Sequence, residues 1–316
     1  MPFRTTLPFV CAPSSPSAGE WISALQDAMP DERVVLLSEL DAAARAMCDV
    51  AIVANPLPDD LRQLPNLKWV HSVWAGVERM MADLRDSDLK IVRLVDPQLA
   101  ETMAEAVLAW VLYLHRDMPR YARQQAARQW LAHDYVRAEG KTVSLLGLGA
   151  MGAAAARRLR AAGFKVCGWS RTRKLLPDVA CYAGDEELHD MLGRTDILVC
   201  LLPLTPETRG IVGAKAFSAL PEGASLVNFA RGPIVDDQAL RAALDNGRLL
   251  HAVLDVFEHE PLPEDAWQWV HPRVTVLPHV SAPTDYRTAS AIVASNIARY
   301  RAEGVLPETV DRQLGY

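Results

Sequence analysis

The stretch Thr142-Val143-Ser144-Leu145-Leu146-Gly147-Leu148-Gly149-Ala150-Met151-Gly152 decides the fold of this chain. A short, largely apolar run enters G-x-G-x-x-G, and an alanine-rich helical segment at 151–162 follows, stopping at Gly163. A strand that turns on glycines into a helix opens a βαβ unit able to hold a dinucleotide. Gly147 permits the tight turn, Gly149 lets the backbone approach a pyrophosphate, and Gly152 lets the helix pack close to the strand. Ala150 and Met151 begin the helix, whose free N–H groups and partial positive charge favour an anion.

The same rhythm continues downstream. Residues 165–169, 197–202, 225–229, 251–255 and 274–277 read as strands, and 185–192, 214–220 and 237–245 as helices between them. That alternation predicts a doubly wound parallel sheet. Upstream, apolar or β-branched runs at 6–12, 34–37, 50–54, 67–73 and 91–95 alternate with a helix at 18–29 and further polar or helix-prone stretches. They predict a second, smaller parallel α/β unit. Between the two units a long helical pattern runs from Glu101 to about residue 132, with a break expected at Pro119. Its apolar stripe contains Met103, Val107, Trp110, Val111 and Leu114. Residues 284–303 are helical again.

A length of 316 residues is compatible with two domains and needs no staples. With 33 basic and 39 acidic residues the net charge is −6, so nothing global attracts nucleic acid or an anionic membrane. The most apolar helical stretch, 106–114, is about half of a membrane span. Near the N-terminus, Arg4 and the apolar run 7–12 faintly imitate a leader, but Pro8 and Pro13 interrupt it, and a first strand is the better reading. Five cysteines, Cys11, Cys48, Cys167, Cys181 and Cys200, form no C-x-x-C pair. An odd, scattered set argues against a disulfide framework or a zinc site and for a reducing compartment, the cytoplasm. No metal is expected.

Any anionic ligand must therefore meet local positive charge. After the second strand of the large unit stands Ser170-Arg171-Thr172-Arg173-Lys174. An NAD site would place a carboxylate near there for the ribose 2′-hydroxyl. Three cations and two hydroxyls suit a 2′-phosphate instead, which predicts NADPH in preference to NADH.

Three later segments follow strand ends, where open α/β sheets bind ligands. They are Asn228-Phe229-Ala230-Arg231-Gly232, Leu254-Asp255-Val256-Phe257-Glu258-His259-Glu260-Pro261-Leu262 and Leu277-Pro278-His279. With the glycine turn and Leu202-Pro203-Leu204-Thr205-Pro206-Glu207-Thr208, they resemble the D-isomer-specific 2-hydroxyacid dehydrogenases over nearly the whole length. Within that family the chain is most similar to the glyoxylate/hydroxypyruvate reductase A branch. That likeness rests on Cys167-Gly168-Trp169-Ser170-Arg171-Thr172-Arg173-Lys174 and the ending Val310-Asp311-Arg312-Gln313-Leu314-Gly315-Tyr316.

The resemblance implies a flavodoxin-like substrate domain split between 1–99 and 284–316, with a Rossmann NADP-binding domain, 100–283, inserted between. It implies reduction of a small 2-oxo acid, glyoxylate or hydroxypyruvate, to the D-2-hydroxy acid. His279 would protonate the developing alkoxide, since its reference pKa suits an acid that recycles near neutrality. Glu260 would orient the imidazole, and Arg231 would clamp carboxylate and carbonyl oxygen. His259, the rival histidine, is too close along the chain to Glu260 to be oriented by it. Asp255 would lie beside the nicotinamide carboxamide, and Leu202, Pro203, Thr208 and Ala230 would contact the cofactor. Ala75 and Gly76 would offer backbone N–H groups to the substrate carboxylate. Trp74 is either a packing residue or an apolar wall of the pocket, and Trp130 a weaker pocket candidate from a partner subunit. A homodimer is implied, and the apolar stripe is compatible with it.

Three other readings compete. Trp74 keeps alive a reductase of bulkier 2-oxo acids such as phenylpyruvate. A dinucleotide-sensing interaction protein without turnover conflicts with Arg231, Glu260 and His279 occurring together. A biosynthetic dehydrogenase working oxidatively would need a further regulatory domain, for which the chain leaves no room after its last helix.

Overall fold

The computed structural model describes residues 5–12 and 17–312. Arg4, Pro13 and the Gln313–Tyr316 part of the C-terminal likeness lie outside the described residues. The chain forms two compact units, one of Met1–Gln98 with Thr284–Tyr316 and one of Leu99–Pro283.

In the first unit, strands β1 (Thr5–Cys11), β2 (Glu32–Leu36), β3 (Val50–Ala54), β4 (Trp69–Ser72) and β5 (Lys90–Val92) form one sheet in the order β2-β1-β3-β4-β5. Every pairing is parallel. The central strand β3, Val-Ala-Ile-Val-Ala, is buried along its whole length. Such an unbroken apolar run is what a parallel strand covered on both faces requires. The final helix, Tyr286–Glu303, packs Ala289, Val293 and Ile297 into the same core as Trp21, Leu25 and Trp69. On the same face Asn296 meets the buried His71, which bonds through Nε2 to Asn296 and Nδ1 to the Ser72 carbonyl. Burial pushes the His71 imidazole down to about 4, so it is a neutral core residue.

The second unit has seven strands: β6 (Thr142–Leu146), β7 (Lys165–Trp169), β8 (Ala180–Tyr182), β9 (Ile197–Cys200), β10 (Ala224–Asn228), β11 (Leu249–Leu254) and β12 (Val274–Val276). Their order is β12-β11-β10-β9-β6-β7-β8, again all parallel. The strand order reverses between β6 and β9, and a crevice opens at their carboxyl ends at such a switch point.

The long helical pattern is corrected in three respects. One helix spans Pro97–His115 and a second Met118–Ala126. The first begins four residues early because Asp96 accepts the Gln98 N–H at 2.8 Å and Pro97 fits the first turn. The break falls at Asp117, whose φ is +54°, and Pro119 belongs to the start of the next helix rather than to the break. Residues 129–137 have no regular secondary structure, so Trp130 lies beyond the helix. The edge strand β8 was not anticipated: its three residues are too few to show alternation.

Candidate active site

The glycine turn is built by contact. Gly147 has φ +108°, and a Cβ there would stand 2.8 Å from the Leu201 carbonyl oxygen. A Cβ on Gly152 would stand 1.9 Å from the Gly147 oxygen, so only hydrogen lets the helix sit against the turn. At Gly149 a Cβ would meet nothing within 4 Å. The open space lies at the start of helix Ala150–Ala161, whose N-cap is Gly149 and receives no side-chain cap. Backbone N–H groups at Ala150 and Met151 thus face a space a phosphate can fill, and the residues fit a dinucleotide pyrophosphate. The loop after β9 closes on itself beside the turn: Thr208 Oγ1 donates to the Pro203 carbonyl at 2.7 Å and accepts from the Thr205 N–H at 2.8 Å. Leu202 is buried beneath it.

After β7, the Ser170 hydroxyl donates to the Thr172 carbonyl at 2.9 Å and folds the basic turn. Arg171, Thr172, Arg173 and Lys174 are exposed there. Arg173 is engaged by the Cys181 carbonyl and by Glu187.

Neighbouring parallel strands deliver the remaining groups to one edge. β10 ends into Arg231, β11 into Asp255 and the loop to Glu260, and β12 into His279. Asn228, at 1% exposure, ties the first turn: its side chain accepts from the Ala230 N–H and donates to the Arg231 carbonyl. Its own carbonyl accepts from the Asp255 N–H, linking the two loops. Gly232 lets the loops touch, since a Cβ there would fall 2.0 Å from the Phe257 carbonyl carbon. Nothing in the chemistry of Asn228 and Gly232 marks them in the sequence as supports; the Arg231-Gly232-Pro233 string is the signal for a tight turn there.

His279 Nδ1 lies 2.7 Å from Glu260 Oε2, and Glu260 Oε1 accepts the Phe257 N–H at 2.9 Å. Glu260 precedes a cis peptide bond to Pro261. His279 itself has a left-handed φ of +55°. The buried Asp255 carboxylate accepts from Val280 N–H at 2.8 Å and Ser281 N–H at 2.9 Å, just past the histidine. Asp255 thus holds the His279 segment in place. Donating to the Glu260 carboxylate raises the His279 pKa, against burial and the neighbouring Arg231 charge, which lower it. Burial pushes Glu260 upward, but His279, the Phe257 N–H and Arg231 together bring it below the usual range. The Nδ1 side is fixed by Glu260, which leaves Nε2 to exchange a proton with a ligand.

In the other unit, Trp74, Ala75 and Gly76 follow β4 and are half-buried. Trp74 packs edge-on to Trp21 with ring centroids 5.5 Å apart, and Trp21 packs edge-on to Tyr286 at 4.6 Å. The tryptophan therefore has a packing role in its own unit. Among the described residues, no helix is long and apolar enough to cross a membrane, and all five cysteines are free thiols.

A glycine turn at the switch point and an ionisable His–Glu pair beside an arginine are the layout of a dinucleotide-dependent dehydrogenase. The chain belongs to the D-isomer specific 2-hydroxyacid dehydrogenase family, whose NAD binding domain matches residues 108–281. It is 36% identical to "Glyoxylate/hydroxypyruvate reductase A" of Klebsiella pneumoniae strain 342, over 94% of this chain and 96% of that protein. Two solved structures are similar along their whole length. A D-isomer specific 2-hydroxyacid dehydrogenase from Xanthobacter autotrophicus Py2, in complex with NADPH and MES, matches with TM-score 0.91 and 39% identity, covering 98% of this chain and 99% of that one. The NADPH-dependent glyoxylate/hydroxypyruvate reductase of Sinorhizobium meliloti, in complex with NADP and sulfate, matches with TM-score 0.89 and 35% identity, covering 99% of this chain and 100% of that one.

Proposed function

We propose that the protein is an NADPH-dependent reductase that converts glyoxylate and hydroxypyruvate to the corresponding 2-hydroxy acids, with D configuration where the product is chiral. The observation that carries this reading is the His279–Glu260 hydrogen bond beside Arg231. NADPH, when bound, supplies the hydride for the keto carbon. His279 Nε2 gives its proton to the carbonyl oxygen as negative charge develops there, and solvent returns it after turnover. Glu260 keeps the imidazole oriented and favours its protonated form. Arg231 binds the substrate carboxylate and steadies the carbonyl oxygen. Ala75 and Gly76 supply backbone N–H groups to the same carboxylate, and Trp74 bounds the substrate side chain.

The glycine turn, with Ala150 and Met151, takes the pyrophosphate, and the turn Ser170–Lys174 the ribose 2′-phosphate. Leu202, Pro203, Thr208, Ala230 and Asp255 complete the cofactor contacts. In this reading Leu99–Pro283 is the NADP-binding domain, and the other unit binds the substrate. The NADPH and NADP complexes of the two similar structures support the cofactor assignment.

The working form we propose is a cytoplasmic homodimer. The irregular segment 129–137 is anchored to the preceding helix: Gln124 donates to the Leu131 carbonyl at 3.0 Å and pairs with His133 at 2.8 Å. Yet Trp130 is fully exposed and Leu131 and Tyr135 largely so. An ordered apolar segment of this kind suits an interface between two copies. Free thiols suit a reducing cytoplasm.

Steady-state kinetics with glyoxylate, hydroxypyruvate, pyruvate and phenylpyruvate test the assignment. The expected order places hydroxypyruvate and glyoxylate first in kcat/KM. A preference for phenylpyruvate would transfer the reading to bulkier 2-oxo acids, and no NADPH oxidation with any of the four would remove it.

A further inference from the structure

Arg171 and Arg173 stand two residues apart in one basic turn, and Arg173 is held on the β8 side of β7. Arg173 Nη1 donates to the Cys181 carbonyl on β8 at 2.8 Å, and its Nη2 is ion-paired with Glu187 in helix Gly184–Leu192. Both acceptors lie on or beyond β8, and β8 flanks β7 on the side away from β6 and the glycine turn. The guanidinium therefore reaches away from the place where a ribose on β6 and β7 would lie. Glu207, in the loop after β9, is held below the usual carboxylate range first by its hydrogen bond to Thr205 and least by the charge of Arg171, and β9 adjoins β6 on the cofactor side.

Glu187 is itself fixed. Its Oε2 accepts the Ala183 N–H at 2.7 Å while Oε1 takes Arg173. The Ala183 N–H and Arg173 both hold its pKa below the usual range, so the carboxylate stays ionised at neutral pH. A half-exposed pair of this kind adds little to stability. What it does accomplish is to tie one end of the turn 170–174 to β8 and the helix after it.

We propose that Glu187 is a positioning residue for cofactor selectivity: it pins Arg173 as a strut on the β8 side of the turn and leaves Arg171 as the guanidinium that meets the 2′-phosphate. This rests on the NADPH reading above. Arg173 then contributes to selectivity only through the shape of the turn, and Glu187 and Arg173 act as one unit.

The test is calorimetric titration of the full-length protein with NADP+ and, separately, NAD+, for wild type and four variants. Arg171→Met is expected to weaken NADP+ binding about tenfold or more and to leave NAD+ unchanged, since a lost guanidinium–phosphate fork is a charge-assisted loss. Glu187→Gln and Arg173→Met are each expected to weaken NADP+ about threefold to fivefold, with NAD+ again unchanged. The Glu187→Gln/Arg173→Met double variant should be no weaker than either single variant, because residues in one link are non-additive. Tighter or unchanged NADP+ binding in Glu187→Gln overturns the proposal, for it would mean that Arg173 is released onto the phosphate or that the link has no influence. So does an Arg173→Met loss equal to that of Arg171→Met. A wild-type protein without preference for NADP+ overturns both this proposal and the cofactor reading, whereas the preceding outcomes leave that reading standing.

Discussion

His279 Nδ1 and Glu260 Oε2 are 2.7 Å apart, and the second oxygen of that carboxylate is held by the Phe257 N–H. The glutamate is thus anchored before it anchors the histidine. Burial and Arg231 both work against a proton on His279, and Glu260 outweighs them. The sign of its effect on rate follows. A raised pKa keeps the acid form present to higher pH than an unassisted imidazole would, and reduction declines as pH rises through the His279 pKa. In Glu260→Gln the opposing influences remain and the support is gone. The alkaline limb of the kcat profile should move to lower pH, with kcat at neutral pH down about tenfold or more. A limb that stays in place would show that Glu260 does not set the histidine.

Asp255 holds the histidine by another route. One oxygen takes the Val280 N–H and the other the Ser281 N–H, in a site where the residue is 2% exposed. Asparagine keeps one acceptor and replaces the other with a donor facing a donor. Asp255→Asn should lower unfolding stability by about 1–3 kcal/mol. It should also lower kcat more than it raises the KM for the 2-oxo acid, because the His279 segment loses one tether. Chemical denaturation and kinetics on the same preparation check both. A variant with wild-type stability and kcat would contradict the tethering role.

The parts of the fold that were legible in the sequence were those whose local chemistry and tertiary role agree. The bounds of β3, β6 and β7 and of helix Asp237–Asp245 follow from runs of apolar residues or from an Asp236 cap that accepts the Ala239 N–H. The break in the long helix was expected two residues late, because proline was read as a breaker while it serves in a first turn. Arg231, Glu260 and His279 stand in three segments that follow strand ends, and the resemblance to the family is what joins them as a set. The supporting groups were not legible. Asn228 works by bonding two backbone loops at once, and the direction of Arg173 depends on which strand lies beside β7, information that strand order alone holds.

The segment around Trp130 carries a separate prediction. If two copies bury it, Trp130→Glu places a charge at the centre of an apolar contact and should shift the protein from dimer to monomer. Sedimentation equilibrium of wild type and variant reads this directly. A wild-type protein that sediments as a monomer at micromolar concentration, or a variant that remains dimeric, would contradict the assignment of this segment to the interface.

If His279 is the proton donor in a hydride-transfer reaction, single-turnover kinetics of His279→Ala will show it. The variant is preloaded with NADPH, its binding is measured by titration, and it is then mixed with saturating hydroxypyruvate. Wild-type affinity for NADPH is expected, with hydride transfer slowed about 10²- to 10⁴-fold. Hydride transfer at nearly the wild-type rate, with NADPH bound as tightly, would contradict that role.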